Sequence, residues 1–172
     1  MSATLRDRVR DIPDFPTPGI MFKDVMPLIA DPAAFRESIE LLAEWARPRS
    51  PDLILGAEAR GFIFGGALAY ELGCGFVPAR KPGKLPWNTV GATYDLEYGT
   101  DTLEVHADAI RAGSRVIVLD DVLATGGTAK AKVDLVEKLG GTVVGALFVI
   151  ELTFLNGRER LAGYDVHALI DY

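Results

Sequence analysis

Residues 116–128 read Val-Ile-Val-Leu-Asp-Asp-Val-Leu-Ala-Thr-Gly-Gly-Thr, and this stretch decides the fold class that we expect. Its first four residues are bulky and mostly β-branched, which is typical of a strand buried in a parallel sheet. Asp120 and Asp121 follow, where we expect the strand to end. Two like charges at a buried strand end are costly unless cations or hydroxyl groups satisfy them. The pair therefore indicates a binding site.

A small loop rich in hydrogen-bond donors follows the aspartates and precedes a predicted helix. Gly126 and Gly127 let the backbone curl so that its N–H groups point inward, while Thr125 and Thr128 add hydroxyl groups. The N-terminus of the helix also attracts anions. The unit can therefore hold a phosphate at the loop and a polyol, with or without a metal ion, at the aspartates. A solvated turn before an ordinary helix cap is the alternative interpretation of such a short pattern.

The composition bounds the class of protein. The chain has 172 residues, 49% of them hydrophobic and 24% charged, which is a normal globular balance for one domain. A net charge of −6 argues against general nucleic-acid binding. Cys74 is the only cysteine, which excludes an intrachain disulfide and suits a reducing cytoplasm. No signal-peptide core opens the chain, and the apolar run Val143–Ile150 is too short to cross a bilayer. We therefore expect a cytoplasmic protein without nucleic-acid or membrane partners.

Predicted strands and helices alternate along the chain, which favours an α/β fold with a parallel sheet. Hydrophobic patterning and turn residues place the strands at 53–57, 76–79, 115–119, 143–150 and 166–170. Helices are predicted at 32–47, 62–72 and 128–139. Two short strands, at 94–98 and 102–106, surround Gly99. We expect residues 1–172 to form a single domain.

Three polar segments follow predicted strands, at 58–61, 80–84 and 120–128. Ligands of open α/β sheets bind at the carboxyl ends of strands, so these segments are expected to share one site. Arg60 can grip an anion with its guanidinium group. The segment 80–84 places three cations in five residues, which supplies the local positive charge that an acidic chain needs to bind a polyphosphate.

The stretch 116–128 resembles the phosphoribosyl pyrophosphate (PRPP) signature of the type I phosphoribosyltransferases. Further blocks are similar to the members of that family that use adenine, and together they cover nearly the whole chain. These blocks are 14–24 (Asp-Phe-Pro-Thr-Pro-Gly-Ile-Met-Phe-Lys-Asp), 58–62 (Glu-Ala-Arg-Gly-Phe), 80–86 (Arg-Lys-Pro-Gly-Lys-Leu-Pro), 96–99 (Leu-Glu-Tyr-Gly), 151–153 (Glu-Leu-Thr) and 157–159 (Gly-Arg-Glu). The resemblance implies the type I phosphoribosyltransferase fold, a mainly parallel sheet flanked by helices. It also implies an N-terminal hood at about 12–30 and a flexible lid loop at about 81–106.

The resemblance also implies roles for individual residues at the PRPP site. Asp120 and Asp121 would hold the ribose hydroxyl groups. The 5′-phosphate would lie on the loop of Ala124, Thr125, Gly126, Gly127 and Thr128. The diphosphate group would be bound by Ala59, Arg60, Arg80, Lys81 and Lys84. Mg²⁺ would be held mainly through PRPP, with any protein contact near the two aspartates. The family often has a cis peptide at the bond that corresponds to Glu58–Ala59, which the sequence itself does not reveal.

The acceptor base would bind under the hood. The residues that the resemblance assigns to adenine are Met21, Phe22, Lys23 and Leu152. The family more often has arginine where this chain has Lys23; because lysine lacks the planar fork of arginine, we expect the backbone of Lys23 to contact the base. Glu97 is the candidate for proton transfer at the purine ring, and Tyr98 lies beside it in the sequence. Both are interpreted as catalytic.

The implied reaction transfers the 5-phosphoribosyl group of PRPP to N9 of adenine and gives AMP and diphosphate. Its ligands are PRPP, adenine, AMP and diphosphate, and the family generally forms homodimers. One alternative is the same chemistry with hypoxanthine, guanine or xanthine, although the hood block and Glu97-Tyr98 argue against it. The other is a PRPP-sensing regulator that binds DNA or RNA, against which the net charge of −6 argues.

Overall fold

The computed structural model describes residues 3–95 and 99–172. Its helices are α1 (Ala3–Arg6), α2 (Met26–Ala30), α3 (Pro32–Ala46), α4 (Arg60–Leu72) and α5 (Gly127–Lys138). Its strands are β1 (Arg10–Ile12), β2 (Phe22–Asp24), β3 (Leu53–Ala57), β4 (Gly75–Ala79), β5 (Thr89–Asp95), β6 (Thr100–His106), β7 (Arg115–Leu123), β8 (Thr142–Glu151) and β9 (Val166–Asp171). Short 3₁₀ turns occupy Arg47–Arg49, Thr153–Leu155 and Gly157–Leu161.

Five parallel strands form the central sheet in the order β4-β3-β7-β8-β9. Strand β3 leads through α4 to β4 on one side, and β7 leads through α5 to β8 on the other. The strand order therefore reverses between β3 and β7, and the loops that follow these neighbours open onto a shared crevice. Such a reversal is the usual ligand-binding position of an open α/β sheet.

Both faces of the sheet are covered, as the long apolar strands require. Ile54 and Ile117 point to one face, where they share a core with residues of α3 and α4. Leu55 and Val118 point to the other face, where α5 and the β5–β6 hairpin cover them. The predicted parallel α/β architecture is therefore confirmed.

Two small antiparallel sheets flank the central one. Strands β1 and β2 pair near the N-terminus, where Arg10 bonds to Asp24 at 2.7 Å. The loop between these two strands, β2 and α2 occupy the predicted hood region. Strands β5 and β6 form a hairpin in the predicted lid region. The hairpin begins at Thr89, earlier than the expected residue 94, because Thr89–Asp95 pairs along its whole length with β6.

The sequence placed the end of one central strand too early. Strand β7 continues through both aspartates to Leu123 and stays paired with β8. The carboxylates are tolerated inside the strand because each has a cationic partner, as described below. Among the helices in the described residues, none has the length and apolar character needed to cross a membrane.

Candidate active site

A polar cavity of about 240 Å³ opens where the sheet order reverses, at the carboxyl ends of β3 and β7. Most of the residues predicted to bind PRPP line it. These are Arg60, Lys81, Asp120, Asp121, Ala124, Thr125, Gly126, Gly127 and Thr128. Within the described part of the chain, the lining does not include the predicted ligands Ala59, Arg80 and Lys84. Fold topology thus brings segments far apart in the sequence into one site.

The loop at 124–128 has the compact geometry expected of a phosphate cradle. Gly126 has a φ of +85°, a conformation that side-chain-bearing residues rarely adopt. A Cβ atom there would lie 2.5 Å from the carbonyl oxygen of Gly157, so the neighbouring turn leaves no room for a side chain. Helix α5 begins at the next residue and directs its unpaired N–H groups toward the loop. The sequence prediction of an anion-binding loop agrees with this arrangement.

The two adjacent aspartates have separate cationic partners. Asp121 accepts a hydrogen bond from Nε of Arg60 at 2.5 Å. Asp120 accepts one from Nζ of Lys132 at 2.7 Å. Gly61 lies against the carboxylate of Asp120, because a Cβ atom on Gly61 would meet Oδ1 of Asp120 at 2.7 Å. The Arg60-Gly61 turn and the aspartates are therefore packed as one unit.

Burial raises the pKa of the Asp120 carboxyl to about 6, and the Lys132 ammonium group opposes this shift. Asp121 lies next to it and adds a repulsive contribution. The site therefore contains a carboxylate that depends on its buried lysine to remain ionised.

The basic cluster after β4 is also paired with acids. Glu58 accepts hydrogen bonds from Nη2 of Arg80 at 2.9 Å and from the backbone N–H of Lys81 at 2.5 Å. The bond to Lys81 and the cation of Arg80 hold the pKa of Glu58 below its usual value. Nζ of Lys81 bonds to Asp101 at 2.5 Å, and this bond lowers the pKa of Asp101. The cations Arg80 and Lys81 of the predicted basic segment are thus paired with Glu58 and Asp101.

The backbone at the turn after β3 contains the cis peptide that the family resemblance implied. The bond between Glu58 and Ala59 is cis, and Ala59 precedes the first residue of α4. Its neighbour Arg60 faces the cavity.

A second, apolar cavity of about 280 Å³ adjoins the polar one and shares Arg60, Val122 and Ala124 with it. It is lined by all four residues predicted to bind the base, Met21, Phe22, Lys23 and Leu152. Ile20 and Leu155 complete its wall. An apolar pocket next to a polar one fits a ligand with a flat base and an anionic sugar phosphate.

The aromatic ring of Phe22 is fixed from two sides. The ring of Phe15 packs edge-on against it with centroids 5.1 Å apart, and the Arg60 guanidinium carbon lies 5.4 Å from its centroid. Nζ of Lys23 bonds to Asp11 at 2.6 Å and lies 3.9 Å from the ring centroid of Tyr172. The Lys23 side chain is therefore engaged outside the base cavity, which leaves its backbone as the group available to a base.

Sequence reasoning missed three charged residues that hold the site together, namely Glu58, Asp101 and Lys132. Lys132 could have been found, because it lies four residues before Val136 and so shares the inward face of a predicted helix. The partners of Glu58 and Asp101 come from other segments, and no local pattern identifies them. The predicted catalytic residues Glu97 and Tyr98 lie outside the described residues.

Comparisons with known proteins identify similar chains. The family model described as phosphoribosyl transferase domain matches residues 28–165. The adenine phosphoribosyltransferase of Roseiflexus sp. is 56% identical over 172 residues, covering 100% of both chains. The crystal structure of adenine phosphoribosyltransferase from Thermoanaerobacter pseudethanolicus aligns with a TM-score of 0.96 at 55% identity, covering 98% of each chain. The Saccharomyces cerevisiae enzyme, crystallised with an imino-altritol bisphosphate and adenine, aligns with a TM-score of 0.90 at 44% identity, covering 96% of each chain.

Proposed function

The chain belongs to the adenine phosphoribosyltransferases of the phosphoribosyl transferase domain family, and we propose that its two adjoining cavities divide the substrates of that reaction between them. The enzyme is a pentosyltransferase of purine salvage that transfers the 5-phosphoribosyl group of PRPP to N9 of adenine, with AMP and diphosphate as products. In this proposal PRPP occupies the polar cavity and adenine the apolar one.

The observation that carries the proposal is the shared wall of the two cavities. Arg60, Val122 and Ala124 line both, so a base and a ribosyl group bound on either side would meet at this wall. The yeast relative crystallised with adenine and a sugar-like bisphosphate supports the same division. A nucleophile and an electrophile held in contact gain a large rate advantage from proximity alone.

The residues of the polar cavity have distinct tasks in the proposed mechanism. The C1–diphosphate bond loosens first, and C1 gains positive charge before N9 attacks. Asp120 and Asp121 hold the ribose hydroxyl groups and place negative potential near this developing cation. Arg60 and Lys81 stabilise the departing diphosphate, with Arg80, Lys84 and the Ala59 backbone assigned to the same group on the family resemblance.

The apolar cavity positions the base. The ring of Phe22 stacks on one face of adenine and Leu152 packs on the other, while backbone groups of Met21 and Lys23 read its edge. Proton transfer at the imidazole ring is assigned to Glu97, and a role at the reacting centre to Tyr98, on the family resemblance. Closure of the lid over the site would exclude water, which otherwise competes for the activated ribosyl carbon.

Mg²⁺ fits the proposed site as a partner of the substrate. Within the described part of the chain, no cluster of three or more acidic, histidine or cysteine residues could cage a metal ion. Asp120 and Asp121 line the cavity but already have cationic partners, so they would contact Mg²⁺ mainly through PRPP oxygens. Bound Mg²⁺ would neutralise charge on the leaving diphosphate.

A homodimer in the cytoplasm is part of the same proposal. Tyr70 on α4 is 90% exposed, and an apolar groove of about 410 Å³ runs beside it between α3 and α4. Lys84, outside the cavity of its own chain, would be available to a partner's site. Sedimentation of the purified protein measures the oligomeric state, and a monomer would contradict this part. The single free Cys74 suits a reducing compartment.

One assay tests the central proposal. The protein is incubated with Mg²⁺ and PRPP, each nucleobase is offered separately, and nucleotide formation is measured. We expect AMP from adenine and little product from hypoxanthine, guanine or xanthine. Product with another purine and none with adenine would favour the alternative base. A PRPP-dependent change in the gel mobility of DNA or RNA, without any turnover, would favour a regulator. The comparisons do not favour a regulator.

A further inference from the structure

Lys132 is a buried cation that the proposed reaction does not use directly. It lies on the inward face of α5, and its side chain has no exposed surface. Its Nζ donates to the backbone oxygen of Leu119 at 2.7 Å and to Oδ2 of Asp120 at 2.7 Å. A lysine this deeply buried is rare unless a specific charge requires it.

Both oxygens of the Asp120 carboxylate are held by hydrogen bonds. Oδ2 is bonded by Lys132 from the protein interior, and Oδ1 accepts the backbone N–H of Asp121 at 3.1 Å. Gly61 packs so close to Oδ1 that a methyl group there would overlap it. The carboxylate therefore has one orientation, set by protein contacts on both of its oxygens.

Lys132 differs from the other cations around the site in being inaccessible. The side chains of Arg60, Arg80 and Lys81 are 40%, 34% and 56% exposed, so each can leave its acid for an incoming anion. Lys132 is 0% exposed and has no path to a ligand. The ion pairs of Arg60, Arg80 and Lys81 can thus open to bind an anion. The buried pair of Lys132 and Asp120 stays closed.

We propose that Lys132 is a positioning residue for the phosphoribosyl donor, which neutralises Asp120 from inside the protein and fixes the direction of its carboxylate. The inference rests on the proposed ribose role of Asp120 and Asp121. PRPP is a polyanion, and it must bind beside two adjacent carboxylates. The pair of Lys132 and Asp120 keeps this carboxylate ionised for the ribose hydroxyl groups and adds no net charge beside the polyanion, while Arg60 remains free to exchange.

The test compares two lysine-to-methionine variants on the same helix. Lys132→Met removes the buried cation and keeps most of the side-chain volume. Lys130→Met is the matched control, because Lys130 is 41% exposed and bonds to Asp134 at the helix surface.

Steady-state kinetics with Mg²⁺ give kcat and separate KM values for PRPP and adenine. We expect Lys132→Met to raise the KM for PRPP roughly 10- to 100-fold, because Asp120 then loses both its ionised form and the orientation in which it accepts the ribose hydroxyl groups. The KM for adenine should change less than about twofold.

Each result bears on a different claim. An unchanged KM for PRPP in folded Lys132→Met would overturn the inference, as would an equal rise in both KM values, which indicates a general structural loss. Where Lys132→Met does not fold, Lys132→Gln is measured instead, since it keeps a donor for Asp120 without the charge. Wild-type protein that shows no saturation with PRPP would overturn the proposed function itself, which separates the two failures.

Discussion

At the scale of single residues, the site depends on close packing around one carboxylate. Asp120 is held by Lys132, by the backbone of Asp121 and by the absence of a side chain at Gly61. A displacement of a catalytic or binding group by about 1 Å can cost roughly 100-fold in rate. The glycine is therefore as much a part of the proposed ribose site as the aspartates are.

Gly61→Ala should lower kcat/KM for PRPP roughly 10- to 100-fold, because its methyl group would displace the Asp120 carboxylate. Gly66→Ala is the matched control, since it lies on the same helix with nothing within 4 Å of the added Cβ. That control should keep full activity and gain slightly in stability, because alanine is the better helix former. Steady-state kinetics of both variants make the comparison. Equal activity of Gly61→Ala and wild type would show that the position of Asp120 does not matter.

Glu97→Gln should lower kcat roughly 10- to 1000-fold, the usual contribution of a general acid or base. The reason is that glutamine cannot exchange a proton with the purine ring, while its size is nearly unchanged. Glu44→Gln on the exposed surface of α3 serves as the control. Turnover is measured with saturating adenine and PRPP. A rate close to wild type would remove Glu97 from the proposed mechanism.

At the scale of secondary-structure elements, stacking joins helix α3 to the edge strand β9. The rings of Trp45 and His167 lie parallel, with centroids 5.6 Å apart, and the Arg49 guanidinium covers Trp45 at 3.3 Å. Burial lowers the pKa of His167, and the cations of Arg158 and Arg49 act in the same direction. The imidazole is thus packed in its neutral form.

The stability of the fold should therefore depend on pH through His167. Because its pKa in the folded protein is below the unfolded value of about 6.5, the unfolded chain binds the proton more readily. The stabilising contribution is complete above about pH 6.5 and is lost as the pH falls toward the folded-state pKa. Chemical denaturation at several pH values measures the effect. His167→Phe keeps the stack without a titrating group, so its unfolding free energy should fall less over this range. Parallel curves for the two proteins would contradict the assignment.

At the scale of the whole molecule, Tyr172 ties the two walls of the proposed adenine pocket together. Its backbone oxygen accepts from N and Oγ1 of Thr153, at 2.8 and 2.7 Å, next to Leu152 in the pocket. Its ring lies under the ammonium group of Lys23, at 3.9 Å from the centroid, on the opposite wall. The guanidinium of Arg6 also covers the ring, at 4.4 Å. The hood and the segment after β8 are therefore connected through one residue, by its ring on one side and its backbone oxygen on the other.

Tyr172→Ala should raise the KM for adenine roughly 5- to 30-fold, the effect of losing a partly buried cation–π contact that holds the hood. The KM for PRPP should remain close to wild type. Tyr172→Phe keeps the ring and should restore adenine binding. Tyr164→Ala is a control for simple loss of a tyrosine, since Tyr164 bonds to Glu137 and packs on the other face of the sheet. Equal KM values for adenine in Tyr172→Ala and wild type would show that the hood is held without this contact.

The sequence by itself determined the α/β class and the strand–loop–helix unit at 116–128, because these features depend on local periodicity and on motif composition, and the family resemblance added candidate residues for both cavities. All four predicted base-binding residues line one cavity, and the loop 124–128 lines the other. The sequence did not place the end of β7, since a strand ending is normally expected at charged residues. It also did not identify which acid pairs with which cation.

Only the tertiary structure decided the charge arrangement. Arg60 and Asp121 are 61 residues apart, and Arg80 and Glu58 are 22 apart, so their pairing follows from the strand order and from no local pattern. Lys132 and Arg60 together allow β7 to continue through two carboxylates as far as Leu123, which hydropathy alone would not predict. A polyanion site in an acidic chain therefore arises from ion pairs across the sheet, whose energy depends on distances that only folding sets.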